Sequence, residues 1–237
     1  MKHLLFLFLL LQVSPQAYAA CDEYVVLLHG LARTSRSMEE LEGAFSSEGY
    51  RVVNIDYSSR EYGINELARI VREEIVSKTQ DAEKIHFVTH SMGGIIVRYI
   101  QKNDPLPDIG RVVMLSPPNH GSEVVDLLGD TWPFELINGP AGKELGTDEK
   151  GLPYSLGRVD FETGIITGDR SFNWINSLII PGKDDGKVSL NSAKVEGMTD
   201  FLVLHVSHTF IMTDNNAIMN CLYFIKNGGF KHPSGGD

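Results

Sequence analysis

The stretch Ile85-His86-Phe87-Val88-Thr89-His90-Ser91-Met92-Gly93-Gly94-Ile95-Ile96-Val97 decides the fold. Ile85–Val88 is a short apolar run that reads as a strand, and from Gly94 to Lys102 the chain is apolar almost all round, as a buried helix would be. The few residues between them leave room only for a tight turn, with Ser91 at its apex. Such a turn holds the serine in a strained backbone conformation with its hydroxyl above the sheet edge. Gly93 lets the helix and a neighbouring strand approach closely, and the helix aims its N-terminal amides at developing negative charge. An ordinary strand–helix turn that happens to contain a serine has the same spacing, so the flanking sequence has to decide.

Outward from this turn, further apolar runs occur at Tyr24–Leu28, Arg51–Ile55, Val112–Leu115, Gly164–Thr167 and Phe201–Val206. They are rich in Val, Ile and Leu without strict alternation, as expected for strands covered on both faces. Helical spacing separates them. Met38, Leu41 and Phe45 follow Ser37-x-x-Glu40, which has the form of a capping box. Ile64, Leu67, Ala68, Val71 and Ile75 form a stripe ending near Lys78, and Ile218, Leu222 and Ile225 define a last helix stopped at Asn227-Gly228-Gly229. This alternation predicts an α/β fold with a mainly parallel central sheet of about six strands and helices on both faces.

The ends read differently. Met1-Lys2-His3, the apolar run Leu4–Leu11 and Ala17-Tyr18-Ala19 have the three parts of a secretory signal peptide, so residues 1–19 are expected to be removed and the protein secreted or periplasmic. The run is too short to span a bilayer. Cys21 lacks the leucine three positions before it that a lipoprotein would carry, so lipid anchoring is not expected. Residues 20–230 then form one domain and 231–237 a flexible tail. The two cysteines, Cys21 and Cys221, are expected to pair in an oxidising compartment. With 31 acidic against 21 basic residues and a net charge of −10, no basic stripe offers itself to nucleic acid. The oligomeric state is not encoded legibly.

Three features give the serine chemical company. Leu28-His29-Gly30-Leu31 ends the first strand, where the amides of Leu31 and Met92 suit a two-donor oxyanion hole, with His29 structural. An acidic residue lies in the loop Gly182-Lys183-Asp184-Asp185-Gly186-Lys187-Val188. His208 follows the last strand. Ser91, an acid and His208, in that chain order, would all sit on loops at one edge of a parallel sheet. Asp184 and Asp185 adjoin each other, and Asp169 directly follows the fifth strand, so three acids compete. His205 falls inside the strand pattern and reads as a core or edge histidine; His86 and His120 also read as structural.

His29-Gly30, His90-Ser91-Met92-Gly93-Gly94, Ser116-Pro117-Pro118-Asn119-His120-Gly121-Ser122, Asp184-Asp185-Gly186-Lys187-Val188-Ser189 and Ser207-His208 together resemble the α/β-hydrolase superfamily, in its compact bacterial lipase and esterase branch. The resemblance runs from Tyr24 to Lys226 and departs at Thr89, where the family's pentapeptide usually begins with glycine. It implies Asp185 as the acid and His208 as the base, acting on Ser91 in an ester hydrolase that needs no metal or cofactor. It also implies turnover that falls in acid. A thioesterase or acyltransferase with the same triad, or a binding protein on the same scaffold, are the alternative readings.

Between residues 122 and 160 the strand–helix rhythm breaks into apolar residues interspersed with Gly and Pro. An insertion there would overhang the nucleophile as a cap or lid. Trp132, Phe134, Leu136 and Ile137 are its expected substrate-binding residues, lining an acyl pocket suited to lipidic esters and to passing contact with lipid surfaces.

Overall fold

The computed structural model describes residues 22–128, 132–148, 151–171 and 180–232. Leader residues 1–19 and Cys21 lie outside them, as does the tail from 233 onward.

Six strands form one parallel sheet in the order β2-β1-β3-β4-β5-β6. They are β1 (Glu23–Leu28), β2 (Arg51–Ile55), β3 (Lys84–His90), β4 (Ile109–Leu115), β5 (Thr163–Gly168) and β6 (Asp200–Leu204). In β1, β3 and β5 nearly every residue is buried, which is why their sequences read as unbroken apolar runs. Helices α1 (Glu39–Ser47), α2 (Ile64–Lys78) and α3 (Met92–Asn103) link the first four strands.

The sheet separates two apolar layers. On one face Ile64, Leu67, Val71 and Ile75 of α2 and Ile95, Ile96 and Ile100 of α3 pack on Val26, Leu28, Phe87 and Met114. On the other, Leu41 and Phe45 of α1 and Ile218, Phe224 and Ile225 of the C-terminal helix Asn215–Asn227 pack on Val25, Leu27, Val88 and Val113. Each fully buried aliphatic or aromatic side chain of this kind contributes about 1.5–3 kcal/mol. The C-terminal helix is capped by Asp214, whose carboxylate accepts from the Ala217 amide at 3.0 Å, and ends at Gly228 in the left-handed region (φ 80°).

The structure departs from the sequence reading in four places. Ser37 caps no helix: it lies in a 3₁₀ turn, Ser35–Met38, and its hydroxyl donates back to Thr34 O at 2.8 Å. β4 begins at Ile109, three residues early, because its half-buried start, Ile109-Gly110-Arg111, carries little apolar signal. His205 lies beyond the end of β6 and is exposed, its Nδ1 paired with Asp169 Oδ1 at 2.9 Å. Finally, the expected Cys21–Cys221 disulfide finds no support: Cys21 lies outside the described residues, and no disulfide occurs among them. Cys221 is a free thiol, fully buried in the layer between the C-terminal helix and the sheet, where it fills apolar space. Burial pushes that thiol's pKa up and so suppresses the reactive thiolate.

Two outcomes follow from this packing. Cys221 should resist an aromatic disulfide reagent in the folded protein and react once it is unfolded in denaturant, and reductant should leave the melting temperature unchanged. Gly93→Ala should lose about 1–3 kcal/mol in chemical denaturation, because its Cβ would lie 2.7 Å from Leu28 O and 3.0 Å from His29 O, backbone atoms fixed in or beside β1.

Candidate active site

Three adjacent strands end in strained residues. Ala32 follows β1 at φ 55°, Ser91 follows β3 at φ 52° and Ser116 follows β4 at φ 48°; among the described residues no other non-glycine has a positive φ. Such backbone conformations typically cost 1–3 kcal/mol each and persist where surrounding structure imposes them. At Ser91 that structure is explicit. Its amide donates to Leu115 O at 2.8 Å and its carbonyl accepts from the Gly94 amide at 3.0 Å. The missing side chain at Gly94 also leaves space for Thr89, whose Oγ1 would stand 3.3 Å from a Cβ there, accommodating the threonine where glycine is usual.

Ser91 opens on a cavity of about 270 Å³ that His208 also lines. His208 Nδ1 lies 2.9 Å from Asp185 Oδ2, and the His208 amide donates to Asp185 O, also at 2.9 Å. The other carboxylate oxygen of Asp185 accepts from the amides of Lys187 (3.0 Å) and Val188 (2.9 Å). Burial is the largest influence on Asp185 and opposes its charge. The facing His208, by charge and by hydrogen bond, and the Val188 amide outweigh burial and hold the carboxyl below its ordinary range. The ring therefore has one nitrogen fixed on an anion and belongs to a residue that lines the cavity, an arrangement suited to a proton acceptor.

The competing acids are placed elsewhere. Asp169 pairs with His205 and with Lys183 Nζ at 3.7 Å, and Asp184 accepts from the Gly186 amide at 2.7 Å, shaping the loop. His86 is structural, accepting from the Arg111 amide at 2.8 Å and facing Glu23 at 3.3 Å. His120 is exposed, its ring edge-on to Tyr154.

His29 is structural too: its ring stacks on Tyr57 at 4.0 Å, Nδ1–H donates to Gly30 O at 2.9 Å and Nε2 accepts from the Tyr57 amide at 3.3 Å. Burial lowers its pKa and keeps it in the neutral form these bonds require. The Tyr57 hydroxyl donates to His29 O, so the peptide entering Gly30-Leu31 is held from both sides. The amides of Leu31 and Met92 donate to no other group among the described residues. Met92 is the first residue of α3.

Sequence reasoning missed His90, Arg33 and Lys187. His90 is buried and donates from Nε2 to His208 O at 3.0 Å, with the two rings 4.8 Å apart. Burial first, then the charges of His208, Arg33 and Lys187, hold its pKa well down, so it stays neutral. Arg33 and Lys187 line the cavity beside Ser91. Their positions next to Gly30-Leu31 and Asp185 were the available signal, since loops at one sheet edge converge. From the insertion, Val124, Val125, Asn138 and Leu145 reach the cavity wall. Helices Glu123–Leu128 and Trp132–Lys143 carry this segment, the second bent at Gly139. The side chains of Trp132, Phe134, Leu136 and Ile137 lie outside the described residues. No group of three potential metal ligands occurs among the described residues.

The sequence profile of the Alpha/beta hydrolase family matches residues 25–175. Comparison with curated proteins finds no match. Among solved structures, the mature form of a lipase from Bacillus licheniformis aligns with a TM-score of 0.67 at 18% identity, covering 85% of this chain and 91% of the lipase. Phospholipase PlaB from Legionella pneumophila aligns with a TM-score of 0.67 at 21% identity, covering 87% of this chain and 59% of the phospholipase. A metagenomic carboxyl esterase aligns with a TM-score of 0.65 at 17% identity, covering 88% of this chain and 76% of the esterase. These likenesses establish a common fold.

Because the Asp185 carboxyl has a lower pKa folded than unfolded, its charge stabilises the fold above the unfolded value, and that contribution is lost as pH falls through the folded value. Asp185→Asn should therefore melt lower than wild type at neutral pH. The gap should close as the solution is acidified through the carboxylate range; a gap independent of pH would contradict this assignment of charge.

Proposed function

The chain belongs to the Alpha/beta hydrolase family, and from that membership we propose that it is a serine hydrolase of carboxylic esters. The observation that carries this reading is a strained serine opening on the same cavity as a histidine held by a buried aspartate. In the proposed reaction Ser91 Oγ attacks the ester carbonyl carbon while its proton passes to His208 Nε2. Asp185 keeps the other ring proton on Nδ1 and stabilises the imidazolium, and the amides of Leu31 and Met92 receive the negative charge on the carbonyl oxygen. Collapse of this intermediate expels the alcohol, which takes the proton from His208. Water, deprotonated by the same nitrogen, then attacks the acyl-enzyme, releasing the carboxylic acid and restoring Ser91.

The cavity wall supports an apolar acyl group. Leu31, Pro118, Val124, Val125, Leu145 and Val188 supply it, and each methylene buried against such a surface adds about 0.8 kcal/mol. Lipidic esters are the proposed substrates, consistent with the names of the lipase, phospholipase and esterase that share the fold. Export is proposed on the leader-like residues 1–19.

A fluorophosphonate probe should label the wild-type protein and fail to label Ser91→Ala. That variant should lose about 10⁶-fold in kcat on 4-nitrophenyl esters, and Asp185→Asn about 10⁴-fold. Wild-type kcat/KM should decline in acid, because the proposed reaction needs an unprotonated base. Undiminished labelling of Ser91→Ala would refute the proposal.

A further inference from the structure

The cleft has a charge pattern that ester hydrolysis alone does not require. The chain is acidic overall, with 31 carboxylates to 21 basic residues, yet the described lining of the cavity contains Arg33 and Lys187 and no acidic residue. Neither side chain makes an ion pair or hydrogen bond among the described residues, whereas Arg51, Arg69, Arg72, Lys78 and Arg111 all pair with carboxylates. The two cations feel one another. Desolvation of its ammonium, then the charge of Arg33, lowers the pKa of Lys187, and the opposing pull of Asp185 is weaker than either. Asp185 forms no ion pair with either cation; its oxygens bond His208 and two backbone amides.

Both side chains keep contact with solvent, Lys187 being exposed and Arg33 half-buried, and two like charges lining one cleft repel each other less when an anion joins them. Arg33 lies two residues after Leu31, and Lys187 two residues after Asp185, and both line the cavity onto which Ser91 opens. Apolar wall from Val124, Val125 and Leu145 continues the same cavity.

We propose that Arg33 and Lys187 form an anion subsite, and that the esters taken by this cleft carry an anionic oxygen group, phosphate or carboxylate, joined to an apolar chain. This rests on the ester-hydrolase reading for its chemistry but not for its binding. Arginine supplies a planar fork for two oxygens and lysine a point charge, a pairing suited to a tetrahedral or planar oxyanion.

Calorimetric titration of the wild-type protein with hexyl phosphate, hexanoate and hexan-1-ol tests the subsite without turnover. The expected result is at least tenfold tighter binding of one or both anions than of hexanol, weakening with added salt. That preference should vanish in Arg33→Gln/Lys187→Gln and survive in Arg33→Lys and Lys187→Arg. Hexyl phosphate alone being preferred assigns the subsite to phosphate, and equal preference for both anions assigns it to any oxyanion. Equal affinity for all three ligands in wild type, or an anion preference that persists in the double glutamine variant, overturns the proposal. Thermal melts of each variant establish that folding is retained. If wild type fails to hydrolyse neutral 4-nitrophenyl hexanoate, the ester-hydrolase reading falls while the titration still decides the subsite.

Discussion

The contact on which the rest depends is between a backbone and a backbone: the first turn of α3 lies so close to the end of β1 that Gly93 has no room for a side chain against Leu28 O and His29 O. That approach fixes where β3 must turn. Ser91, two residues earlier, takes a positive φ to make the turn, and its amide and carbonyl are both bonded into the surrounding structure. The strain is sustained by the two apolar layers behind it, whose buried side chains contribute far more than one unfavourable residue costs.

Around this turn the chain manages charge by assigning each histidine a different environment. His29 and His90 are driven neutral by burial and spend their ring nitrogens on backbone partners. His208 instead has a buried carboxylate, that of Asp185, within hydrogen-bond reach of its ring. His90 supports His208 through its carbonyl, so the backbone carrying the cavity-facing ring is held at its carbonyl by His90 and at its amide by Asp185 O.

Much of this was legible in the sequence because parallel strands buried on both faces write themselves as apolar runs, and a strand–Ser–Gly–helix junction has few structural interpretations. The legible part ended where direction in space mattered. Asp169 and Asp185 both follow returns of the chain toward one sheet edge, and only the fold reveals that Asp169 faces His205 while Asp185 faces His208. Ser37 carried the spacing of a cap, but a 3₁₀ turn intervened and gave its hydroxyl a nearer acceptor. Cys221 had a distant cysteine and a leader-like N-terminus to suggest a bridge, and neither records that its helix turns it inward. Arg33 and Lys187 are unremarkable letters in loops; their convergence exists only in three dimensions.

Lys187 holds two offices that different atoms perform. Its main-chain amide bonds the Asp185 carboxylate, while its side chain looks into the cleft. Any residue except proline supplies that amide, so this position is free to drift in evolution, or to be randomised in a library, without disturbing the grip on the acid. In the proposed reaction and subsite, selectivity and reactivity would thus be heritable separately at a single codon.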